Sequence, residues 1–215
     1  MFRRDLVAAG LALWLPAWGS AIASAARAET LDRIAVTVGQ EVITESRVIL
    51  DLRVAGFLDG KPVDLSPAAK RKSAERIVDQ LLILREAADS HLTLPSVEAT
   101  AGLIAPYAAE SGYQANLARY GISERDLGAH LLAGLRMLTF TDLRFRPDVQ
   151  VSAEDIRNYY DKLPNSAGAP NPSFEDSREQ IEKLLVEQRV LDALDQWLAM
   201  ARAAANIHYH EKAFE

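Results

Sequence analysis

The stretch LDRIAVTVGQEVIT (residues 31–44) decides how the folded part of this chain begins. Residues that favour β-strands dominate Ile34 to Val38 and return at Val42 and Ile43, and Gly39 tolerates the positive φ of a tight turn. The pattern predicts a β-hairpin, which is marginal in water without a further strand or helix. Because the tail NIHYH (residues 206–210) also alternates like a strand, we predict that it joins the hairpin and brings both ends of the chain together.

Helical signals fill the chain between these strands. Thr44 and Ser66 are placed to cap helices, with Pro67 at the first helical position, and Ser-x-x-acid capping boxes begin at Ser123, Ser152 and Ser173. The fold class predicted is mainly α: a helical domain with a small β-hairpin near the N-terminus that pairs with a short C-terminal strand. We predict helices over residues 44–57, 67–90, 97–109, 113–120, 124–144, 153–163 and 174–204.

Apolar side chains at helical spacing indicate which faces turn inward. We expect three sets to be buried: on the first helix Val48, Ile49, Leu52 and Val54; on the second Ile77, Val78, Leu81, Leu82, Ile83 and Leu84; on the last Ile181, Leu184, Leu185, Leu191, Leu194, Trp197, Leu198 and Ala201.

Residues 1–28 have the three parts of a secretory signal peptide. Arg3 and Arg4 precede an apolar stretch from Leu6 to Ala23, and residues 26–28 (ARA) form a small-x-small cleavage site. A transmembrane anchor is the alternative, but the stretch is at the short limit of spanning length and contains Pro16, Gly19 and Ser20. The paired arginines also fit a twin-arginine signal, so the export route stays open. We predict cleavage and export.

Composition excludes several classes of function. The 215 residues include 24 Lys and Arg against 30 Asp and Glu, and the net charge is −6. Proteins that bind nucleic acid normally carry a basic patch that neutralises phosphates, so we expect no nucleic-acid partner. The chain contains no cysteine, which excludes disulfides, thiolate nucleophiles, zinc–thiolate sites and iron–sulfur clusters.

Catalytic and metal-binding patterns do not stand out. The sequence contains no G-x-S-x-G elbow, phosphate-binding G-x-x-x-x-G-K loop or H-E-x-x-H helix. His208 and His210 lie on one face of a strand, but two imidazoles without a third ligand make a weak metal site, and we expect a solvent-facing pair. Glu154 and Asp155 begin a helix, where carboxylates are stabilised electrostatically. We therefore predict no catalytic residue, no cofactor and no metal.

Four segments carry a resemblance to a known family. Residues 31–46 (LDRIAVTVGQEVITES) resemble the start of the SurA family of periplasmic folding factors for outer-membrane proteins. Residues 120–127 (YGISERDL) continue the likeness, and residues 149–160 (VQVSAEDIRNYY) resemble the segment before the parvulin domain in that family. The closing helix, with Phe174 near its start and Trp197 near its end, is similar to the family's closing helix. The segments stand in the family's order and span nearly all of the chain after residue 28.

The chain departs from the family where the prolyl isomerase domain would be inserted. A parvulin-type domain would fall between Leu163 and Ser173, but only nine residues, PNSAGAPNP, lie there, too few to bury a core. We therefore predict a proline-rich linker in its place. The domains predicted are a signal peptide (1–28), a helical chaperone region (29–163), the linker (164–172), and a closing helix and strand (173–215) that pack back on the chaperone region.

The resemblance implies an ATP-independent periplasmic chaperone that holds unfolded outer-membrane or other exported polypeptides. A peptidyl-prolyl isomerase-type folding factor and a structural interaction subunit of an envelope complex are the alternatives. Aromatic and methionine side chains suit varied apolar partners, so we expect a peptide-binding surface lined by Tyr113, Met137, Phe140, Trp197 and Met200. We expect no stable membrane insertion once the signal is removed, and homodimerisation stays open.

Overall fold

The fold is mainly α-helical, as predicted. The structure is a computed structural model that describes residues 32–163 and 172–215, so the predicted signal peptide and all of the predicted linker except Pro172 lie outside the described residues. The described helices are α1 (Glu45–Asp59), α2 (Pro67–Asp89), α3 (Thr100–Ala108), α4 (Tyr113–Tyr120), α5 (Glu124–Arg144), α6 (Ala153–Asp161) and α7 (Phe174–Ala204), and the strands are β1 (Ile34–Val38), β2 (Glu41–Thr44) and β3 (Ile207–Tyr209).

A three-stranded antiparallel sheet joins the two ends of the described chain in the order β2–β1–β3. Val36 of β1 lies opposite Ile43 of β2 on one side and opposite Tyr209 of β3 on the other. Gly39 adopts a φ of +62° in the hairpin turn, the left-handed conformation that glycine reaches without steric cost. The predicted hairpin and its pairing with the C-terminal strand are therefore confirmed.

Serine caps fix the starts of four helices. The side-chain oxygens of Ser66, Ser123, Ser152 and Ser173 each accept a hydrogen bond from the backbone N–H three residues later, at 3.1–3.3 Å. At Ser123 and Ser152 the acidic residue at the third helical position also accepts from the backbone N–H of the serine, which completes a capping box. These local bonds explain why the predicted starts of these helices agree with the structure.

Three apolar cores hold the helices together in the described part of the chain. The sheet core lies between the sheet, α2 and the last residues of the chain; the central core lies between α2, α5 and α7; the distal core joins α1, α3, α4 and the start of α5. Burial of each large apolar side chain contributes about 1.5–3 kcal/mol. Fully buried anchors are Val36, Val38, Ile43 and Val78 in the sheet core, Ile83, Phe140 and Val190 in the central core, and Val54 and Leu127 in the distal core.

The cap of α1 differs from the prediction. Thr44 occupies the N-cap position, but its side chain makes no capping hydrogen bond. Asp32 replaces it, because its carboxylate accepts from the backbone N–H of Ser46 at 3.1 Å and also bonds the Ser46 hydroxyl. The hydrogen bonds from Ser46 and Thr44 lower the pKa of Asp32, which is therefore ionised at neutral pH. The helix also extends two residues beyond Phe57, to Asp59, before Gly60 ends it in the left-handed conformation.

Several side chains predicted to face inward are exposed or half-buried. Leu84 is 42% exposed, Leu184 44% and Leu191 55%, whereas Ile49 and Leu52 are half-buried. The prediction was wrong for the three leucines because a helix that contacts its neighbours along one stripe leaves the edge of a broad apolar pattern in solvent. The segment predicted as a helix over residues 97–109 is divided into a 3₁₀ turn (Val97–Ala99) and α3.

Among the described helices, none combines the length and the apolar composition that crossing a lipid bilayer requires.

Candidate functional site

An apolar cleft of about 670 Å³ opens between α2, α5 and the segment formed by the 3₁₀ turn and α3. Helix α2 supplies one wall and α5 the other, and the 3₁₀ turn and α3 close one side. The lining residues are Gln80, Leu81, Ile83 and Leu84 from α2; Val97, Thr100 and Ile104 from the turn and α3; Arg47 from α1; and Glu124, Arg125, Gly128, Ala129, Leu132, Ala133, Arg136 and Met137 from α5.

Small residues on α5 make room for the cleft and bring α3 close. A Cβ atom on Gly128 would lie 2.9 Å from Cδ1 of Ile104 and 3.4 Å from Cβ of Thr100, so a glycine allows α3 its close approach. Ala129 and Ala133 extend the same face of α5 without filling the space. The glycine therefore allows a tight contact between α3 and α5, and the two alanines leave an open space beside that contact.

Two apolar side chains on the cleft are well exposed. Leu84 is 42% exposed and Val97 64%, and both belong to the lining, whereas the deeper residue Leu132 is 4% exposed. An apolar space that opens to solvent is typical of sites that bind apolar groups from a partner or ligand. The cleft can therefore take up an apolar side chain from outside.

Three arginines stand among the apolar lining residues. Arg47 lies in the first turn of α1, Arg125 in the first turn of α5, and Arg136 further along α5. The Nε of Arg136 donates a 2.7 Å hydrogen bond to the carbonyl oxygen of Pro95, which fixes its side chain beside the cleft. Guanidinium groups here are positioned to donate hydrogen bonds to carbonyl or carboxylate oxygens of whatever enters.

A polar cluster occupies a smaller cavity, of about 130 Å³, that shares Arg47, Gln80, Ala129 and Ala133 with the cleft lining. Its centre is the Asp51 carboxylate, which accepts from Ser73 Oγ at 2.5 Å, contacts His130 Nδ1 at 2.9 Å and also pairs with Arg76.

Burial raises the pKa of the Asp51 carboxyl, but the hydrogen bonds from His130 and Ser73 and the charge of Arg76 outweigh burial and hold that pKa below its ordinary value. The ionised carboxylate therefore links α1 to α2 and α5, the two long walls of the cleft. Ser73 donates to Asp51 and to the carbonyl oxygen of Val48 rather than to the imidazole, so these residues do not form the relay of a serine hydrolase. The cluster acts as a structural joint.

The five residues predicted to contact a client are not gathered in one place. Met137 lines the cleft and contacts the central core. Phe140 is fully buried, with its ring centroid 5.1 Å from that of the half-buried Trp197, and Tyr113 is 6% exposed in the distal core. Met200 is 65% exposed but lies outside the lining. Phe140 and Tyr113 therefore do not line an open surface, because their rings pack inside the central core and the distal core.

The residues that do line the cleft have a signal in the sequence that the prediction missed. Arg125 and Arg136 are eleven residues apart, about three helical turns, and so lie on one face of α5 with Gly128, Ala129, Leu132 and Ala133 between them. Two cations on one helical face, with mostly small residues between them, are unusual for a core. It could have indicated a cleft, but not which helices would form the opposite wall.

His208 and His210 contact each other, and Asp155 takes part in a helix cap and an ion pair. The rings of His208 and His210 lie 4.6 Å apart between centroids, and no third ligand joins them: across residues 32–163 and 172–215, no three His, Asp or Glu side chains lie together in a way that could hold a metal ion. Asp155 completes the Ser152 capping box and pairs with Arg189 at 2.9 Å, as a structural role requires.

No protein-family model matches this chain, and no curated protein matches it either.

Proposed function

We propose that this protein is an ATP-independent periplasmic chaperone that holds unfolded outer-membrane or other exported polypeptides in the cleft between α2, α3 and α5. The observation that carries the proposal is an apolar cleft whose lining includes exposed Leu84 and Val97. The likeness of the four sequence segments to the SurA family supports the chaperone function. The signal-like residues 1–28 support a periplasmic location.

Reversible burial of apolar surface supplies the physical basis. Each Å² of apolar client surface that leaves water contributes about 25 cal/mol to binding. Ordering of the unfolded client opposes association and keeps affinity modest, so a client can leave without nucleotide hydrolysis. The acidic net charge of −6 helps a chaperone–client complex to stay in solution.

A matched pair of double variants tests the cleft. Leu84→Gln/Val97→Gln makes two lining residues polar, and Leu138→Gln/Leu191→Gln makes the same change at residues outside the lining; all four side chains are 42–64% exposed, so both proteins should fold. Binding of a fluorescently labelled, urea-denatured outer-membrane protein, diluted into buffer, should weaken about tenfold for the lining variant and stay unchanged for the control.

Two results would contradict the proposal. If neither variant loses binding, clients bind elsewhere on the protein. If both variants lose binding equally, general surface hydrophobicity rather than the cleft is responsible for client binding. If the wild-type protein does not bind unfolded clients and one stoichiometric partner is recovered from the envelope instead, the protein is an interaction subunit.

A further inference from the structure

We infer that the cleft prefers apolar client segments that carry two acidic side chains four residues apart, laid along α5 between Arg125 and Arg136. The inference rests on the proposed function and adds the class of client that the cleft selects. The arrangement of charge in the lining carries it.

Many arginines of this protein already form an ion pair with a carboxylate of the same chain. Arg33, Arg71, Arg76, Arg85, Arg144, Arg146, Arg189 and Arg202 each form an ion pair. Within the described residues, seven arginines form no ion pair, and three of these, Arg47, Arg125 and Arg136, line the cleft. The other four, Arg53, Arg119, Arg157 and Arg178, lie outside the lining. Among the residues that the structure describes, the lining holds one carboxylate, Glu124, against these three cations, in a protein with a net charge of −6.

The apolar walls increase the effect of these cations. A guanidinium beside apolar side chains is less screened by water than one on an open surface, and its planar group of donors matches a carboxylate. An occupant must therefore offer apolar surface to Leu84, Ile104 and Leu132 and negative charge to the arginines. A polyanion lacks the apolar surface, and an uncharged apolar segment leaves the arginines without partners.

Geometry sets the spacing of the two charges. Eleven residues of α-helix at 1.5 Å each separate Arg125 from Arg136 by about 16 Å along the axis. An extended peptide advances about 3.3 Å per residue and its side chains alternate between two faces. Acidic side chains four positions apart therefore share one face at a separation of about 13 Å, and the long arginine side chains can bridge the remaining few ångströms. The side chain midway between them points the same way, toward Gly128, Ala129, Leu132 and Ala133, where the glycine and the alanines leave room for an apolar group.

Three labelled peptides test the preference. Each is acetylated and amidated, so that only side chains carry charge, and each has the same three apolar residues between two Asp, two Asn or two Lys. Fluorescence anisotropy at low ionic strength should give a Kd for the Asp peptide about tenfold below that of the Asn peptide, and the weakest binding for the Lys peptide. A fourth peptide, with its two Asp adjacent, should lose most of the gain.

A charge-matched pair of variants assigns the preference to the cleft. Arg125→Gln/Arg136→Gln should remove the advantage of the Asp peptide, whereas Lys72→Gln/Arg178→Gln, which removes two exposed cations outside the lining, should leave it intact. If loss of the Arg136–Pro95 hydrogen bond unfolds the first variant, Arg125→Gln alone should reduce the advantage by at least half. Equal binding of all the peptides to the wild-type protein would overturn this inference and leave the proposed function standing; binding of none would overturn the proposed function and this inference with it.

Discussion

The backbone N–H of Gly39 donates a 2.9 Å hydrogen bond to the carbonyl oxygen of Asn206, so the turn of the hairpin is tied to the residue before β3. The N–H of His210 donates to the carbonyl oxygen of Ala35 at the same distance and closes the other end of β3. The central strand β1 thus depends on a partner from the far end of the chain. Lys70 adds a link, because its Nζ bonds Glu45 at 3.1 Å and the carbonyl oxygen of Glu215 at 2.9 Å.

Truncation after Asn206 should therefore expose the hairpin. The truncated chain lacks β3 and the buried Phe214, so β1 loses one of its two neighbours and part of the sheet core. Amide hydrogen exchange in residues 34–43 should become at least about tenfold faster. His208→Ala keeps the backbone of β3 and changes an exposed side chain, so its exchange rates should match the wild type. Unchanged protection in the truncated protein would show that β3 does not stabilise the hairpin in solution.

Two glycines on α5 should respond differently to the same change. A Cβ on Gly134 meets no atom within 4 Å, so Gly134→Ala should raise the free energy of unfolding by about 0.5–1 kcal/mol through better helix propensity. At Gly128 the new methyl group would meet Ile104 and Thr100, which offsets that gain. Urea denaturation should therefore find Gly128→Ala less stable than Gly134→Ala by about 1 kcal/mol. Equal gains at both positions would mean that α3 does not approach α5 closely.

Replacement of the buried Asp51 should weaken the joint between α1 and the cleft walls. Asp51→Asn removes the charge that pairs with Arg76 and that His130 and Ser73 bond, and should lower the free energy of unfolding by about 2 kcal/mol at neutral pH. Asp59→Asn, on the same helix, removes an exposed carboxylate 4.0 Å from Lys61 and should change it by less than about 0.5 kcal/mol. Similar effects of both substitutions would contradict a buried structural role for Asp51.

The same carboxylate should make stability depend on pH. Because the pKa of Asp51 in the folded protein lies below its ordinary value, the ionised form stabilises the fold above that ordinary value. This contribution is lost as the pH falls through the folded-state pKa. The stability difference between wild type and Asp51→Asn should therefore be full at neutral pH and shrink below about pH 4. A difference that stays constant down to pH 2–3 would exclude titration of Asp51 as its source.

Local signals in the sequence were sufficient for the hairpin and for the starts of the helices that have serine caps. The predicted helices over residues 124–144 and 174–204 start at the same residues as α5 and α7, because a serine cap and the residue three positions later form bonds that depend on nothing distant. The pairing of the tail with the hairpin was predictable for a different reason. The hairpin and residues 206–210 were the segments with strand patterns, and each needed a partner.

The cleft could not be predicted in the same way. Met137 and Phe140 are three residues apart on one helix, yet the first lines the cleft and the second is fully buried against Trp197. Which of them stays accessible depends on where α7 crosses α5, and the composition of α5 does not contain that information. Leu84 was assigned to the core for the same reason, although the stripe on α2 is wider than the area that its neighbours cover.

The nine residues between Leu163 and Ser173 lead to a prediction about catalysis. They cannot form a parvulin core, so the protein should not accelerate X-Pro isomerisation in a protease-coupled assay. The uncatalysed exchange takes about tens to hundreds of seconds at 25 °C, so weak catalysis would still be visible. A rate that rises in proportion to protein concentration would contradict this prediction and favour the isomerase-type folding factor.

Suppression of client aggregation is the measurement that tests the central claim most directly. An outer-membrane protein is diluted from urea, and light scattering is followed without ATP, with this protein or with an inert control protein at equal total concentration. Near-stoichiometric protein should slow the rise in scattering, and the effect should persist at moderate salt, because burial of apolar surface is not screened by ions. Scattering that rises as fast as with the inert control would contradict the chaperone account.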